Sequence, residues 1–149
     1  MARDETGKIR FNYLERTIRL PDRTKLKAFI LKLFKNEGVR VTEVNYIFCS
    51  DEYLLGINQQ FLRHNSYTDI VTFQYTGKGE AVQSDIYISV DRVRENAGKF
   101  GVSFLKELYR VVFHGALHLC EYKDKKSKDS QQMRVKEEYY LSRYVPRGT

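Results

Sequence analysis

Apolar residues recur along this chain with two different periods, and these periods predict its strands and helices. Residues 39–49 alternate between apolar and polar positions, with Val44, Tyr46 and Phe48 on one face, as expected of a half-buried strand. Residues 9–13 alternate in the same way, and residues 70–75 and 84–90 form two further β-rich segments. Because the turn sequence Thr-Gly-Lys-Gly-Glu separates the last two segments, we expect them to pair antiparallel.

The helical period of 3.6 residues occurs between and after these strands. Asp22 and Ser50 are typical N-cap residues, and each precedes a helical segment, the first ending near Gly38 and the second near Leu62. Three more helices are predicted at residues 91–100, 103–120 and 129–144. The last of these carries four charged residues that we expect to face solvent: Arg134, Lys136, Glu137 and Glu138.

Four strands and about five helices without a regular strand–helix alternation predict an α+β fold. We expect a small four-stranded mixed sheet packed against the helix at residues 103–120, here called the central helix. The chain has 149 residues, 42% of them hydrophobic, and we expect one domain spanning residues 1–149. No apolar run approaches the roughly 20 residues of a membrane span, and the first residues do not resemble a signal peptide. We therefore expect a cytoplasmic protein without a membrane partner.

Charge and cysteine content narrow the possible partners only slightly. The net charge of +7 and the isoelectric point of about 9.4 are compatible with a phosphate-rich partner but do not identify one. Residues 123–128 are rich in lysine, and they form either a solvated loop or a phosphate-contacting surface. Cys49 and Cys120 each lie in an apolar segment, and we expect two buried free thiols of a reducing compartment rather than a disulfide.

Two histidines mark the second half of the central helix. Residues 111–120 contain no Asp, Glu, Lys or Arg, although the whole chain is 30% charged, so this run should be buried. His114 and His118 lie one helical turn apart, which lets two imidazoles reach one metal ion. Asp124 follows His118 by six residues, the spacing of the third ligand in metzincins. These three residues are therefore predicted to bind a metal ion, with a fourth position open for water.

Gly115 argues against a metalloprotease. Zincin proteases place their general base, a glutamate, directly after the first histidine, and this chain has Gly115 there, which we expect to pack between the two rings. The alternative to metal binding is that the two histidines are unrelated residues of the core.

A second polar segment precedes the third strand. Residues 58–73 contain Arg63 and His64, followed by Thr68 and Asp69. Either these residues form a solvated turn and a strand start, or Arg63 or His64 contacts phosphate near the metal, since the guanidinium fork matches phosphate geometry.

The sequence His-Gly-Ala-Leu-His-Leu-Cys-Glu-Tyr-Lys-Asp, at residues 114–124, resembles the H-G-x-L-H-L-x-G-Y-D-H signature of the YbeY family of bacterial metal-dependent endoribonucleases. Residues 58–73 are similar to that family's N-x-x-[YF]-R…T-[ND]-V-L-S-F segment, and residues 84–89 to its G-D-I-x-I-S strand. The resemblance implies one zinc ion per chain, a compact α+β fold, and cleavage of single-stranded RNA in the maturation of ribosomal RNA. It also implies processing of 16S rRNA ends, ribosome quality control, and ribosome-associated proteins as possible partners.

The chain departs from the family pattern at several positions. Asp124 stands where the family usually has a third histidine, which could shift the metal preference from zinc toward manganese or iron. Leu62 aligns with the usual arginine, so its role falls to Arg63 if any residue takes it. Glu121 and Ser84 replace glycines, and the replacement at Glu121 predicts a reshaped turn after His118.

Three functions are compatible with these features. The first is a metal-dependent endoribonuclease, with His114 and Arg63 as catalytic residues. In this hypothesis RNA is contacted by a set of basic residues: Arg63, His64, Lys123, Lys125 and Lys126. The second is an RNA- or ribosome-binding assembly factor with a structural metal, which a fourth protein ligand such as Glu121 would favour. The third is a hydrolase of another substrate. The sequence identifies no general base.

Overall fold

The strands and helices lie where the hydrophobic pattern predicts them. The computed structural model describes residues 7–62 and 68–145. Within these ranges the order of elements is β1 (Lys8–Tyr13), α1 (Arg23–Asn36), β2 (Val41–Cys49), α2 (Asp51–Phe61), β3 (Ile70–Gln74), β4 (Val82–Ser89), α3 (Val90–Phe100), α4 (Phe104–Leu119) and α5 (Ser127–Tyr144). The ends of these elements differ from the predicted ends by no more than two residues. The predicted α+β class, with four strands and five helices in the described part of the chain, is confirmed.

The four strands form one mixed sheet in the order β1-β2-β4-β3. Strand β2 pairs in parallel with both β1 and β4, so β1–α1–β2 is a single βαβ unit. Strands β3 and β4 pair antiparallel, as their connecting turn predicts, with Thr72 opposite Ile86. β3 therefore lies at one edge of the sheet, beside the central strand β4.

Each face of the sheet is covered by helices. The predicted inward face of β2 packs with α1, α4 and α5 in the main core, where Val44, Tyr46 and Phe48 are fully buried. The opposite face carries a smaller cluster around Cys49 and Val71, which α2 covers with Leu54 and Ile57. No helix among the described residues is both long and apolar enough to cross a membrane.

α4 is the predicted central helix, and it lies close against the sheet. Ser103 caps its N-terminus by accepting a hydrogen bond from the Lys106 amide at 3.1 Å. A Cβ atom added to Gly115 would lie 2.9 Å from a methyl carbon of Ile70 and 3.2 Å from Ile86. Gly115 therefore faces β3 and β4, and the prediction that it packs between the histidine rings is wrong.

Candidate metal centre

His114 and His118 lie in the last two turns of α4, at its buried end. Their ring centroids are 4.6 Å apart and the rings are nearly perpendicular. The side chains are 15% and 31% exposed, so each ring is partly covered by protein and partly open. Burial, reinforced by the neighbouring His114, lowers the pKa of His118 despite the opposing effect of Asp124. His118 is therefore neutral at pH 7, the state in which imidazole binds metals.

The turn after α4 returns Asp124 to the two histidines. The amide of Tyr122 donates to the Leu117 carbonyl at 3.1 Å and the amide of Glu121 donates to the His118 carbonyl at 3.0 Å, which is the Schellman pattern. Glu121 occupies the left-handed position of this motif with φ 73°, where glycine is usual. The turn thus keeps a glycine-like conformation with a glutamate in it, and the prediction of a reshaped turn is wrong.

Three ligand atoms converge at this point. One oxygen of Asp124, Oδ2, lies 3.4 Å from Nε2 of His114 and 3.3 Å from Nε2 of His118. These distances are long for N–H···O hydrogen bonds. They match the edge of a tetrahedron, about 3.3 Å, whose bonds to a central zinc ion are about 2.0–2.1 Å. The group therefore has the spacing of a metal site, and all its ligand atoms lie within 4.8 Å of one another.

Glu137 of α5 accepts a hydrogen bond from Nδ1 of His114 at 2.5 Å. Since an ionised carboxylate can only accept, the imidazole carries a hydrogen on Nδ1, and Nε2 is the ring nitrogen that faces Asp124. A metal ion can bind only at a nitrogen without a hydrogen, so Nε2 is the atom of His114 that is available as a ligand.

Arg110 holds Glu137 in place. Its Nη1 donates to Glu137 Oε1 at 2.9 Å, while Nε and Nη2 donate to both carboxylate oxygens of Glu107 at 2.9 and 2.6 Å. The hydrogen bonds to Glu107, together with both acidic charges, raise the pKa of Arg110 although burial opposes them. Burial alone would raise the pKa of Glu137, but the contacts with His114 and Arg110 lower it overall. Arg110 and Glu137 are therefore both charged at pH 7.

The sequence predicted that Glu137 and Lys136 of α5 face solvent, and this prediction was wrong. Glu137 is buried, with 5% exposure, rather than facing solvent, and Lys136 is partly buried against Glu37. Arg134 and Glu138 are exposed, as predicted. The available signal was the spacing of core residues on α5: Met133, Tyr140, Leu141 and Tyr144. Glu137 lies on the same helix face as these residues, so it had to be buried with partners.

Two cavities meet at the three-residue group. One, of about 770 Å³, lies between the start of β3 and the loop after α4 and includes Asn58, Asp69 and Lys125 in its lining. The other, of about 450 Å³, lies between α4 and α5 and includes Lys106 and Arg134. Both are lined by Arg110, His114 and Asp124. A metal ion at the group would therefore be accessible from two sides.

The predicted RNA-contacting residues are placed only in part. Lys125 lines the larger cavity, whereas Lys123 and Lys126 are exposed in the same loop outside its described lining. Arg63 and His64 lie outside the described residues. Leu62 lines the larger cavity. By resemblance, this is the position at which the YbeY family usually has an arginine.

Asp69 was predicted only as a possible strand start. It lines the larger cavity, and burial raises the pKa of its carboxyl group, which Arg110 and His114 partly oppose.

The cysteines are free thiols, as predicted, and neither belongs to the ligand group. Cys49 is buried and Cys120 is partly exposed. Burial raises the pKa of each thiol to about 12, so both are protonated at pH 7. Glu121, the candidate fourth ligand, points away to solvent with 62% exposure and lies 3.9 Å from Lys78.

Comparison with known proteins gives a consistent result. The family model described as Endoribonuclease YbeY matches residues 11–145. A Flavobacterium psychrophilum protein named Endoribonuclease YbeY is 46% identical over 133 residues, which are 89% of this chain and 94% of that protein. A protein of the same name from Flavobacterium johnsoniae is 49% identical over 119 residues, 80% of this chain and 82% of its own.

A solved structure is similar to this chain in fold and in sequence. The solution structure of a Thermotoga maritima protein superposes with a TM-score of 0.62 at 32% sequence identity, covering 89% of this chain and 86% of that one. Because the family model and these relatives span most of its length, the chain belongs to the YbeY family of endoribonucleases.

Proposed function

We propose that this protein is a metal-dependent endoribonuclease that cleaves single-stranded RNA during the maturation of ribosomal RNA. The observation that carries the proposal is the convergence of two imidazole nitrogens and one carboxylate oxygen at the meeting point of two cavities. This geometry occurs in a chain whose relatives are named endoribonucleases. Its substrates include the ends of 16S rRNA, and it contributes to ribosome quality control.

His114, His118 and Asp124 hold one metal ion per chain. Zinc is the first candidate, because the spacing of the three atoms fits a tetrahedral site with one open position. The oxygen ligand of Asp124 also suits manganese or iron. A divalent ion bound here supplies Lewis-acid polarisation of a phosphate and lowers the pKa of water. The chain itself fixes the two rings through α4 and the carboxylate through the Schellman turn.

Basic residues around the larger cavity hold the RNA backbone. Lys125 lines that cavity, and Lys123 and Lys126 add positive charge to the same loop. Arg63 and His64 follow Leu62, which lines the cavity, and Arg63 takes the role of the arginine that Leu62 replaces. We extend the proposal to a preference for single-stranded RNA, which the resemblance to the YbeY family implies.

We place the enzyme in the cytoplasm, where its ribosomal substrate is made and where free thiols such as Cys49 and Cys120 persist. Its partners are RNA of the small ribosomal subunit and ribosome-associated proteins. We treat residues 1–149 as one catalytic domain.

Glu121 distinguishes catalysis from the alternative of a binding factor with a structural metal. A structural zinc site needs four protein ligands, and Glu121 was the nearest candidate for the fourth. Its side chain is 62% exposed and lies beside Lys78, outside the group of three ligand residues found among the described residues. The absence of a fourth ligand from residues 7–62 and 68–145 favours the enzyme.

Elemental analysis tests the metal site. The protein and two variants, Asp124→Ala and Glu121→Ala, are purified without chelators. We expect about one metal ion per chain in the wild type and in Glu121→Ala, and a clear loss in Asp124→Ala. Loss of metal in both variants would indicate four protein ligands and favour the binding factor. If the wild type is metal-free and binds no added zinc, the two histidines are residues of the core and not metal ligands.

A cleavage assay then tests the reaction. Single-stranded and duplex RNA of the same sequence are incubated with wild-type protein, with His114→Ala and with Lys125→Ala. We expect cleavage of the single strand by the wild type, none by His114→Ala, and weaker RNA binding but normal metal content for Lys125→Ala. Cleavage by a metal-free His114→Ala preparation would refute the mechanism.

A further inference from the structure

Glu137 has two partners, and one of them would be enough to satisfy its charge. Its side chain is 6% exposed, and an unpaired carboxylate there would be strongly destabilising. Arg110 already supplies a cation, at 2.9 Å from Oε1. The second carboxylate oxygen nevertheless contacts Nδ1 of His114 rather than solvent. A bridge that served only to join α4 to α5 would not require this imidazole.

We propose that Glu137 is a positioning residue of the metal centre. The inference rests on the proposed binding of a metal by His114, His118 and Asp124. Glu137 keeps the imidazole hydrogen of His114 on Nδ1 and thereby directs the lone pair of Nε2 toward the ion. The hydrogen bond also increases the electron density of the ring, which strengthens the bond from Nε2 to a metal.

Arg110 holds Glu137 in this position, and Glu107 in turn holds Arg110. Arg110 is bound by both oxygens of Glu107, which leaves one guanidinium nitrogen directed at Glu137. The side chain of Glu107 is 2% exposed, so Arg110 has little freedom to leave this position. This series of contacts, Glu107–Arg110–Glu137–His114, therefore fixes the Glu137 carboxylate before any metal binds.

The two histidine ligands differ in this respect. Among the described residues, the carboxylate nearest to His118 is the proposed ligand Asp124, and the His118 ring also lies beside His114 and makes a hydrogen bond with the backbone of Tyr122. His118 is also twice as exposed as His114, at 31% against 15%. His114 is therefore the more buried ligand, and it is the one that a carboxylate outside the ligand group orients.

A zinc titration against a competing chelator tests the proposal. The wild type is compared with Glu137→Gln, which keeps the side-chain shape but removes the charge. Glu138→Gln is the matched control, because it makes the same change at the exposed neighbouring position of α5. We expect Glu137→Gln to bind zinc about 10–100-fold more weakly. Glu138→Gln should stay within about twofold of the wild type. Equal affinity of all three proteins would overturn the inference.

The tautomer of His114 gives a second readout that needs no variant. In zinc-loaded wild-type protein, imidazole ¹⁵N–¹H correlation spectra should show the ring hydrogen of His114 on Nδ1, the nitrogen that contacts Glu137. The opposite tautomer would contradict the proposed role even if Glu137→Gln failed to fold. Failure of the wild type to bind zinc would instead remove the proposed metal site, so the two failures are distinguishable.

Discussion

Replacing Glu37 by glutamine should destabilise the protein and loosen the turn that carries Asp124. The Glu37 side chain is 9% exposed at the end of α1. Its carboxylate accepts hydrogen bonds from Tyr122 at 2.7 Å, from Lys136 at 3.2 Å and from Tyr140. Glu37 therefore joins α1, the turn after α4, and α5. Tyr122 lies two residues before Asp124, so this contact also helps to locate the proposed ligand.

The magnitude follows from what glutamine retains. A hydrogen bond to a charged group contributes about 1.5–3 kcal/mol. A glutamine side chain at this position would keep the shape and one acceptor oxygen, but it would lose the charge and direct an N–H toward other donors. We expect the free energy of unfolding at pH 7 to fall by about 2–3 kcal/mol. Glu95→Gln is the control, since Glu95 is 50% exposed with cations at 3.2 and 3.6 Å, and it should cost no more than about 1 kcal/mol.

Urea unfolding at several pH values separates the charge from the shape. Burial would raise the pKa of Glu37, but hydrogen bonds from Tyr140, Tyr122 and Lys136 lower it overall. The stabilisation by the carboxylate is therefore present above the unfolded-state pKa of about 4.3 and is lost as the pH falls through the lower folded-state value. The difference between wild type and Glu37→Gln should shrink below about pH 4.3. A difference that is equal at pH 7 and pH 3 would refute this reasoning.

Three further substitutions test individual contacts by urea unfolding. Tyr46→Phe removes a buried hydroxyl that donates to the Val112 carbonyl at 2.9 Å, and it should cost about 1 kcal/mol; no loss would mean that the hydroxyl contributes nothing net. Glu121→Gly relieves the left-handed backbone at φ 73° and should stabilise the protein by up to about 1 kcal/mol, so a destabilised variant would show that the side chain outweighs the strain. Gly115→Ala gains about 1 kcal/mol of helix propensity, but the added methyl group crowds Ile70 at a cost of about 1–3 kcal/mol. We therefore expect the free energy of unfolding to fall by about 1 kcal/mol. A stabilised variant would contradict the close packing of α4 on the sheet.

Much of the fold could be predicted because its determinants are local. Caps such as Ser50 and Ser103 act within three residues of the helix they begin, and apolar periodicity is set within each element. The proposed metal ligands could be predicted for the same reason, since His114, His118 and Asp124 lie within one helix and its following turn.

The contacts that escaped prediction join distant parts of the chain. The order β1-β2-β4-β3 depends on pairings that no single segment encodes. Glu137 looks like a solvated residue beside Lys136 and Glu138. Its helix face indicates burial, but only its partners on α4, 23 and 27 residues earlier, show how its charge is satisfied there. The conformation of Glu121 was missed because its identity argued against the left-handed backbone that the turn requires.

The position of α5 after α4 has a consequence during translation. A ribosome synthesises both histidines and Asp124 before it reaches Glu137, so the nascent chain carries the three proposed ligands before the carboxylate that contacts His114. Chains fold progressively as they emerge, and α5 can dock only after α4 and the sheet offer it a surface. The contact between His114 and Glu137 can therefore form only when α5 docks. A nascent chain whose relatives are named endoribonucleases thus emerges beside ribosomal RNA before the proposed metal centre is fully assembled.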